Sequence, residues 1–271
     1  MNLYERLRLL SHRVRPRLRP TLLILGAQKA GTSALFDMLA AHPQVLPSVR
    51  KELDHFSTEA AYAKGMDHYL SHFPVKPLRS VHCITLEASP AYLFFSGITA
   101  PRIARDLPGA YCLAILRDPV QRAYSAWNMC RDFVRKPNPN GLPEHRSFAQ
   151  AVEDELAGRT TDHRHKYLLR GQYADQIADF KQHLPAEKLL VRSYLQLKQD
   201  PASLVNELTD LLGLKAVTAD HPLFAIRSNK RPYSEPLDPG LASELYRYFA
   251  PEMARLDAVL GHPLEILGDH A

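Results

Sequence analysis

Cysteine is scarce in this chain of 271 residues. Only Cys83, Cys112 and Cys130 occur. An odd number with no close spacing suggests neither a disulfide framework nor a zinc-ligand set. Long hydrophobic runs are missing as well. The longest near the start, residues 22–25, is far shorter than a bilayer requires. The basic N-terminus leads into no apolar h-region, so no secretory signal is visible. The expectation is a soluble, cytoplasmic protein. The body of the chain also lacks an excess of charge. Six arginines within residues 1–20, set against Glu5, account for the whole formal charge of +5. A balanced body argues against nucleic acid as a partner. In that basic segment Leu3, Leu7, Leu10 and Val14 follow helical spacing until Pro16. Residues 1–20 read either as a helix packed on the body or as a peripheral contact with anionic lipid. Residues 21–271 read as one domain.

What the chain does contain is a set of short apolar runs alternating with helical patterns. Residues 21–25, 83–86, 110–116 and 188–191 read as buried strands. Helices are expected over 32–41, 59–72, 98–107, 120–133, 148–156, 173–184, 201–212 and 240–260. Residues 135–147, rich in Pro, Asn and Gly, read as an exposed loop, and 215–240 as irregular. This alternation predicts an α/β fold: a single P-loop-like domain with a central parallel sheet flanked by helices. Such sheets bind ligands beyond the carboxyl ends of their strands. The loops after Leu25, Leu86 and Leu116 are therefore the places to examine.

The first of these loops runs from Gly26 to Ser33, through Ala27, Gln28, Lys29, Ala30, Gly31 and Thr32. Its glycines permit a tight turn and close approach to an anion. The free amides at the start of the next helix face that anion, and the helix dipole adds to the attraction. Lys29 contributes charge, and Thr32 and Ser33 contribute hydroxyl donors. The nucleotide-triphosphatase loop GxxxxGK[ST] would place lysine directly after Gly31, where Thr32 stands. That displacement counts against an ATP-dependent small-molecule kinase, which is the alternative reading. In the third loop Arg117 leaves a strand end where a bidentate phosphate contact is possible. Asp118 and Pro119 then form the N-cap and first position of a helix.

The segment 23–35 resembles the 5′-phosphosulfate loop of sulfotransferases that use 3′-phosphoadenosine 5′-phosphosulfate (PAPS). It is most similar to the heparan sulfate-type branch, with its GxxKxGTxxL form. Residues 116–125 resemble that family's 3′-phosphate motif, RDPxxRxxS. The resemblance implies that Gln28, Lys29, Ala30, Gly31, Thr32 and Ser33 hold the phosphosulfate, and that Arg117 and Ser125 hold the 3′-phosphate. Arg122 reads either as part of this motif or as a structural ion pair. Lys51-Glu52-Leu53-Asp54-His55-Phe56 resembles the segment that carries the family's catalytic glutamate. Glu52 falls on that glutamate and ranks above His55, a competing base with a pKa near neutrality. Lys29 would stabilise charge on the leaving phosphate, and Lys51 would assist or bind an acidic substrate.

Glu87-Ala88-Ser89-Pro90-Ala91-Tyr92 resembles the family's EK[TS]xxY segment, with Ala88 in place of the lysine. Glu87 is expected to position the acceptor, to orient Lys29, or simply to end a strand. Tyr173 matches a GxY element, and Lys230 with Arg231 stand in a basic loop similar to the family's nucleotide cover. The function implied is sulfuryl transfer from PAPS to a hydroxyl or amine of a glycan, lipid or small metabolite, without a metal. Outside residues 1–20 no further domain or membrane stem is evident.

Overall fold

The structure is a computed structural model that describes residues 16–77, 82–138, 141–218, 220–226, 233 and 235–267. The strands are β1 (Leu22–Gly26), β2 (Leu86–Ala88), β3 (Tyr111–Leu116) and β4 (Leu189–Ser193). They form a parallel sheet in the order β2-β1-β3-β4. Every residue of β1 is buried, as expected of a central strand covered on both faces. The helices are α1 (Thr32–Ala40), α2 (Glu59–Tyr62), α3 (Gly65–Leu70), α4 (Ala91–Phe94), α5 (Ser96–Asp106) and α6 (Pro119–Arg135). They continue with α7 (Phe148–Leu156), α8 (Tyr173–His183), α9 (Tyr194–Gln199), α10 (Pro201–Leu211) and α11 (Pro239–Leu260). One apolar cluster joins the sheet to α1, α8 and α10. A second, under α6 and α7, is built from Tyr124, Trp127, Phe148 and Phe249.

The chain leaves β1 toward β2 on one side and returns as β3 on the other. The C-terminal ends of β1 and β3 therefore flank a switch point, where a crevice opens. The loops carrying Lys29 and Arg117 start there.

Three expectations are adjusted. The second strand begins at Leu86, because Ile84 bridges Val45 and only Leu86–Ala88 pairs with β1. The helix expected over 59–72 breaks into α2 and α3, with Gly65 at φ 76° opening the second. Helix α9, directly after β4, was not expected. The helical reading of residues 3–14 lies outside the described residues. Arg17 and Arg19 are described and lie against the body. Arg17 donates to the Phe73 carbonyl at 2.6 Å, and Arg19 to the Asp106 carbonyl at 3.0 Å. No helix among the described residues is long and apolar enough to cross a membrane.

Candidate active site

A cleft of about 470 Å³ lies over the ends of β1 and β3 and is lined by Lys29, Thr32, Glu52, Arg117 and Ser125, among others. Residues far apart in sequence thus share one wall-to-wall space. Each side chain is brought there by a local cause.

The loop after β1 turns through two left-handed residues, Lys29 at φ 72° and Gly31 at φ 82°. Gly31 is the N-cap of α1, and no side chain caps that helix. Its leading amides are therefore available to an anion, and Gln28, Gly31, Thr32, Ser33 and Ala34 line the cleft. A Cβ at Gly31 would stand 2.8 Å from Leu197 Cδ2 and 3.0 Å from Tyr194 Cε2. Packing as well as backbone angle thus requires glycine. Ala30 does not face the cleft. Its methyl is fully buried and its amide donates to the Ala27 carbonyl at 3.1 Å.

Across the cleft, Arg117 Nη1 donates to the Lys29 carbonyl at 3.0 Å, and its guanidinium lies 5.0 Å from the Tyr194 ring centre. Asp118 caps α6 by accepting from the amides of Val120 (2.8 Å) and Gln121 (3.0 Å). Its other oxygen accepts from the Tyr246 hydroxyl at 2.8 Å. Ser125, on the first turns of α6, reaches the cleft together with Asn128, Met129 and Asp132. Tyr173 is fully buried and does not line the cleft. Its hydroxyl donates to the Arg117 carbonyl at 2.8 Å and so braces that residue from behind. Arg122 is also fully buried. It donates to the Tyr167 carbonyl, which makes it part of the fold's interior rather than of the cleft. Lys230 and Arg231 lie outside the described residues.

Residues 51–56 form the third wall. Glu52 is exposed to the cleft. Its neighbour Lys51 pairs with Asp37 at 3.9 Å. Glu52 (φ 58°) and Asp54 (φ 52°) are both left-handed, a conformation that costs a non-glycine residue on the order of 1–3 kcal/mol. Half-buried beside Glu52, Asp54 has its pKa raised to about 6, by burial first and by the Glu52 charge second. His55 does not reach the cleft. It is 3% exposed and stacks on Tyr69 with ring centres 4.6 Å apart, against Phe56 and Tyr62. Burial lowers its pKa to about 4, so the ring is neutral at physiological pH. The expectation of a competing base at His55 is corrected on these grounds. Of the readings open for Glu87, the buried strand end is the one its position fits: the residue lies in β2 with its side chain fully enclosed.

Sequence reasoning missed Asn128, Asp132 and Phe133, which join Ser125 on the cleft side of α6. Their spacing from Ser125 follows the helical repeat and was a usable signal. Tyr194 and Arg164 also line the cleft, and nothing local in the sequence marks them.

Comparisons with known proteins bear on the family and the fold. Residues 19–225 match the family described as the sulfotransferase domain. The chain is 31% identical over 204 residues to bifunctional heparan sulfate N-deacetylase/N-sulfotransferase 3 of Homo sapiens, covering 72% of this chain and 22% of that protein. It is 30% identical over 200 residues to the human enzyme numbered 2, with the same coverage. The chain therefore spans about a fifth of the length of these relatives. Among solved structures, a sulfotransferase from Alicyclobacillus acidocaldarius superimposes with a TM-score of 0.72 at 28% identity, covering 91% of this chain and 97% of that one. Nothing in these matches favours a kinase. The chain belongs to the sulfotransferase family, on the branch that includes the heparan sulfate N-sulfotransferase domains.

Proposed function

We propose that the chain transfers a sulfuryl group from PAPS to a hydroxyl or amine of a glycan, lipid or small metabolite. The observation that carries this reading is the convergence of Lys29, Glu52, Arg117 and Ser125 on one cleft. The residues present fit such a donor. An uncapped helix N-terminus beside a lysine suits the 5′-phosphosulfate, and Arg117 with Ser125 in the same cleft suits a second phosphate. PAPS when bound supplies the sulfuryl group and a phosphate leaving group.

The chain's own residues do the rest. Amides at the start of α1 and the Lys29 ammonium hold negative charge where it grows during transfer. Glu52 accepts the acceptor's proton as the new bond to sulfur forms, because a hydroxyl is a poor nucleophile until a positioned base takes that proton. Arg117 fixes the nucleotide's register. Ala88 is buried, with its carbonyl accepting from the Glu52 amide at 2.9 Å, and it brings no charge to the acceptor side.

The test is calorimetric binding of adenosine 3′,5′-bisphosphate, with 5′-AMP and ATP as comparators, with and without magnesium. Preference for the bisphosphate without metal supports the proposal. Preference for ATP with magnesium would replace it with phosphoryl transfer.

A further inference from the structure

Glu87 presents a problem that the proposed chemistry does not solve. It sits in β2 with no exposure to solvent, paired in register with Leu23. A carboxyl in that position is costly unless its oxygens are satisfied. Burial pushes its pKa up to about 7, while three hydroxyl donors oppose that rise. Ser89 donates to Oε1 at 2.6 Å, Tyr92 donates to the same oxygen at 2.8 Å, and Tyr69 donates to Oε2.

Two of these hydroxyls have a second partner. Ser89 Oγ accepts from the Asp54 amide at 3.1 Å, and Tyr92 Oη accepts from the His55 amide at 3.1 Å. A hydroxyl owns one proton. With that proton committed to Glu87, each oxygen turns a lone pair toward a backbone amide of the 52–56 segment. Those amides belong to the turn whose left-handed residues include Glu52 and Asp54. The adjacent Glu52 amide donates to the Ala88 carbonyl at 2.9 Å, from the same stretch of β2. A strained turn persists only where its surroundings over-determine it. Here the surroundings converge on one carboxyl group.

We propose that Glu87 is a positioning residue for Glu52: through the hydroxyls of Ser89 and Tyr92 it fixes the turn that presents Glu52 to the cleft. This rests on the reading of Glu52 as the base. Tyr69 serves as an internal control. It donates to Glu87 as Tyr92 does and is equally buried, yet its hydroxyl holds no amide of the turn in the described hydrogen bonds.

The experiment compares Ser89→Ala, Tyr92→Phe, Tyr69→Phe, Glu87→Leu, Glu87→Gln and Glu52→Gln in sulfuryl transfer with PAPS, together with binding of adenosine 3′,5′-bisphosphate. Glu87→Gln is the conservative variant: its carbonyl can keep both Ser89 and Tyr92 at the Oε1 place with the NH₂ toward Tyr69, which holds no amide of the turn, whereas Glu87→Leu removes the acceptor altogether. The expected result is a fall in kcat of about ten- to a hundredfold for Ser89→Ala, Tyr92→Phe and Glu87→Leu, as a misplaced base gives, with Glu87→Gln within about threefold of wild type. KM for PAPS and the bisphosphate affinity should stay within about twofold, because the phosphate loops are untouched. Tyr69→Phe should keep kcat within about threefold of wild type while losing a comparable amount of thermal stability. The proposal is overturned if Tyr69→Phe loses as much kcat as Tyr92→Phe, or if Ser89→Ala and Tyr92→Phe turn over at the wild-type rate. Should Glu87→Leu fail to fold, the three hydroxyl variants decide the matter. An inactive Glu52→Gln beside fully active hydroxyl variants removes the relay alone. Wild-type turnover in Glu52→Gln removes the base assignment itself.

Discussion

Arg117 Nη1 donates to the carbonyl oxygen of Lys29 across 3.0 Å, tying the end of β3 to the loop that follows β1. The two loops proposed to hold the ends of one nucleotide are therefore not independent. The guanidinium spends one donor on the protein and keeps others for a ligand. The Tyr173 hydroxyl on the Arg117 carbonyl holds the same residue from the interior.

Arg117→Ala should weaken adenosine 3′,5′-bisphosphate binding by roughly ten- to a hundredfold, the worth of a charge-assisted hydrogen bond or two. Binding of 5′-AMP should change much less. Calorimetry with both ligands measures the difference. Equal losses would show that Arg117 only shapes the Lys29 loop and does not read the 3′-phosphate.

Glu52→Gln should bind the bisphosphate as wild type does and lose about 10²- to 10⁴-fold in kcat, the usual contribution of a general base. Single-turnover transfer assays separate chemistry from product release. His55→Phe, which keeps the aromatic packing around Tyr69, should retain most of the activity, since His55 does not reach the cleft.

Gly31→Ala should destabilise the fold by about 1–3 kcal/mol, because the added Cβ meets both a left-handed backbone and the Leu197 and Tyr194 side chains. Chemical denaturation gives the stability change. Bisphosphate affinity should fall in parallel, as the helix start shifts.

Stability should carry a signature of Glu87. Its folded pKa of about 7 lies above the unfolded value of 4.5, so the folded state holds the extra proton between these limits. The Glu87 contribution is greatest below the unfolded value and declines as pH rises through about 7, by up to about 3 kcal/mol. Asp54, raised from 3.8 to about 6, acts in the same sense. His55, lowered from 6.5 to about 4, acts oppositely across that range. The stability difference between wild type and Glu87→Gln removes these shared terms. Urea denaturation at pH 5 and pH 8 should show that difference shifting against wild type at the higher pH. A pH-independent difference would mean that Glu87 is charged throughout.

The phosphate loops were legible because their geometry is local. A strand end, a turn and a helix start within a dozen residues place Lys29, Thr32 and Arg117 with little help from the rest of the chain. Asp118 and Pro119 marked the start of α6 for the same reason. The base was harder. Glu52 and His55 are three residues apart, and only tertiary packing against Tyr69 decides which one turns inward. The second strand was misplaced because residues 83–86 divide between a bridge to Val45 and the sheet proper. Tyr194 and the hydroxyl set around Glu87 depend on contacts between separate elements, which spacing along the chain does not encode.

Helix α11 lies beyond residue 225, where the family match stops, yet it reaches back to the cleft's foundations. Tyr246 holds the second oxygen of Asp118, and Glu252 accepts from the Ala174 amide at 2.7 Å, next to Tyr173. A recombinant fragment trimmed to the matched region would thus keep every cleft-lining motif through Tyr194 and still lose the struts beneath Arg117. Boundaries for expression, crystallisation or domain grafting belong after Ile266, which is buried in the main core, rather than at the edge of recognisable similarity.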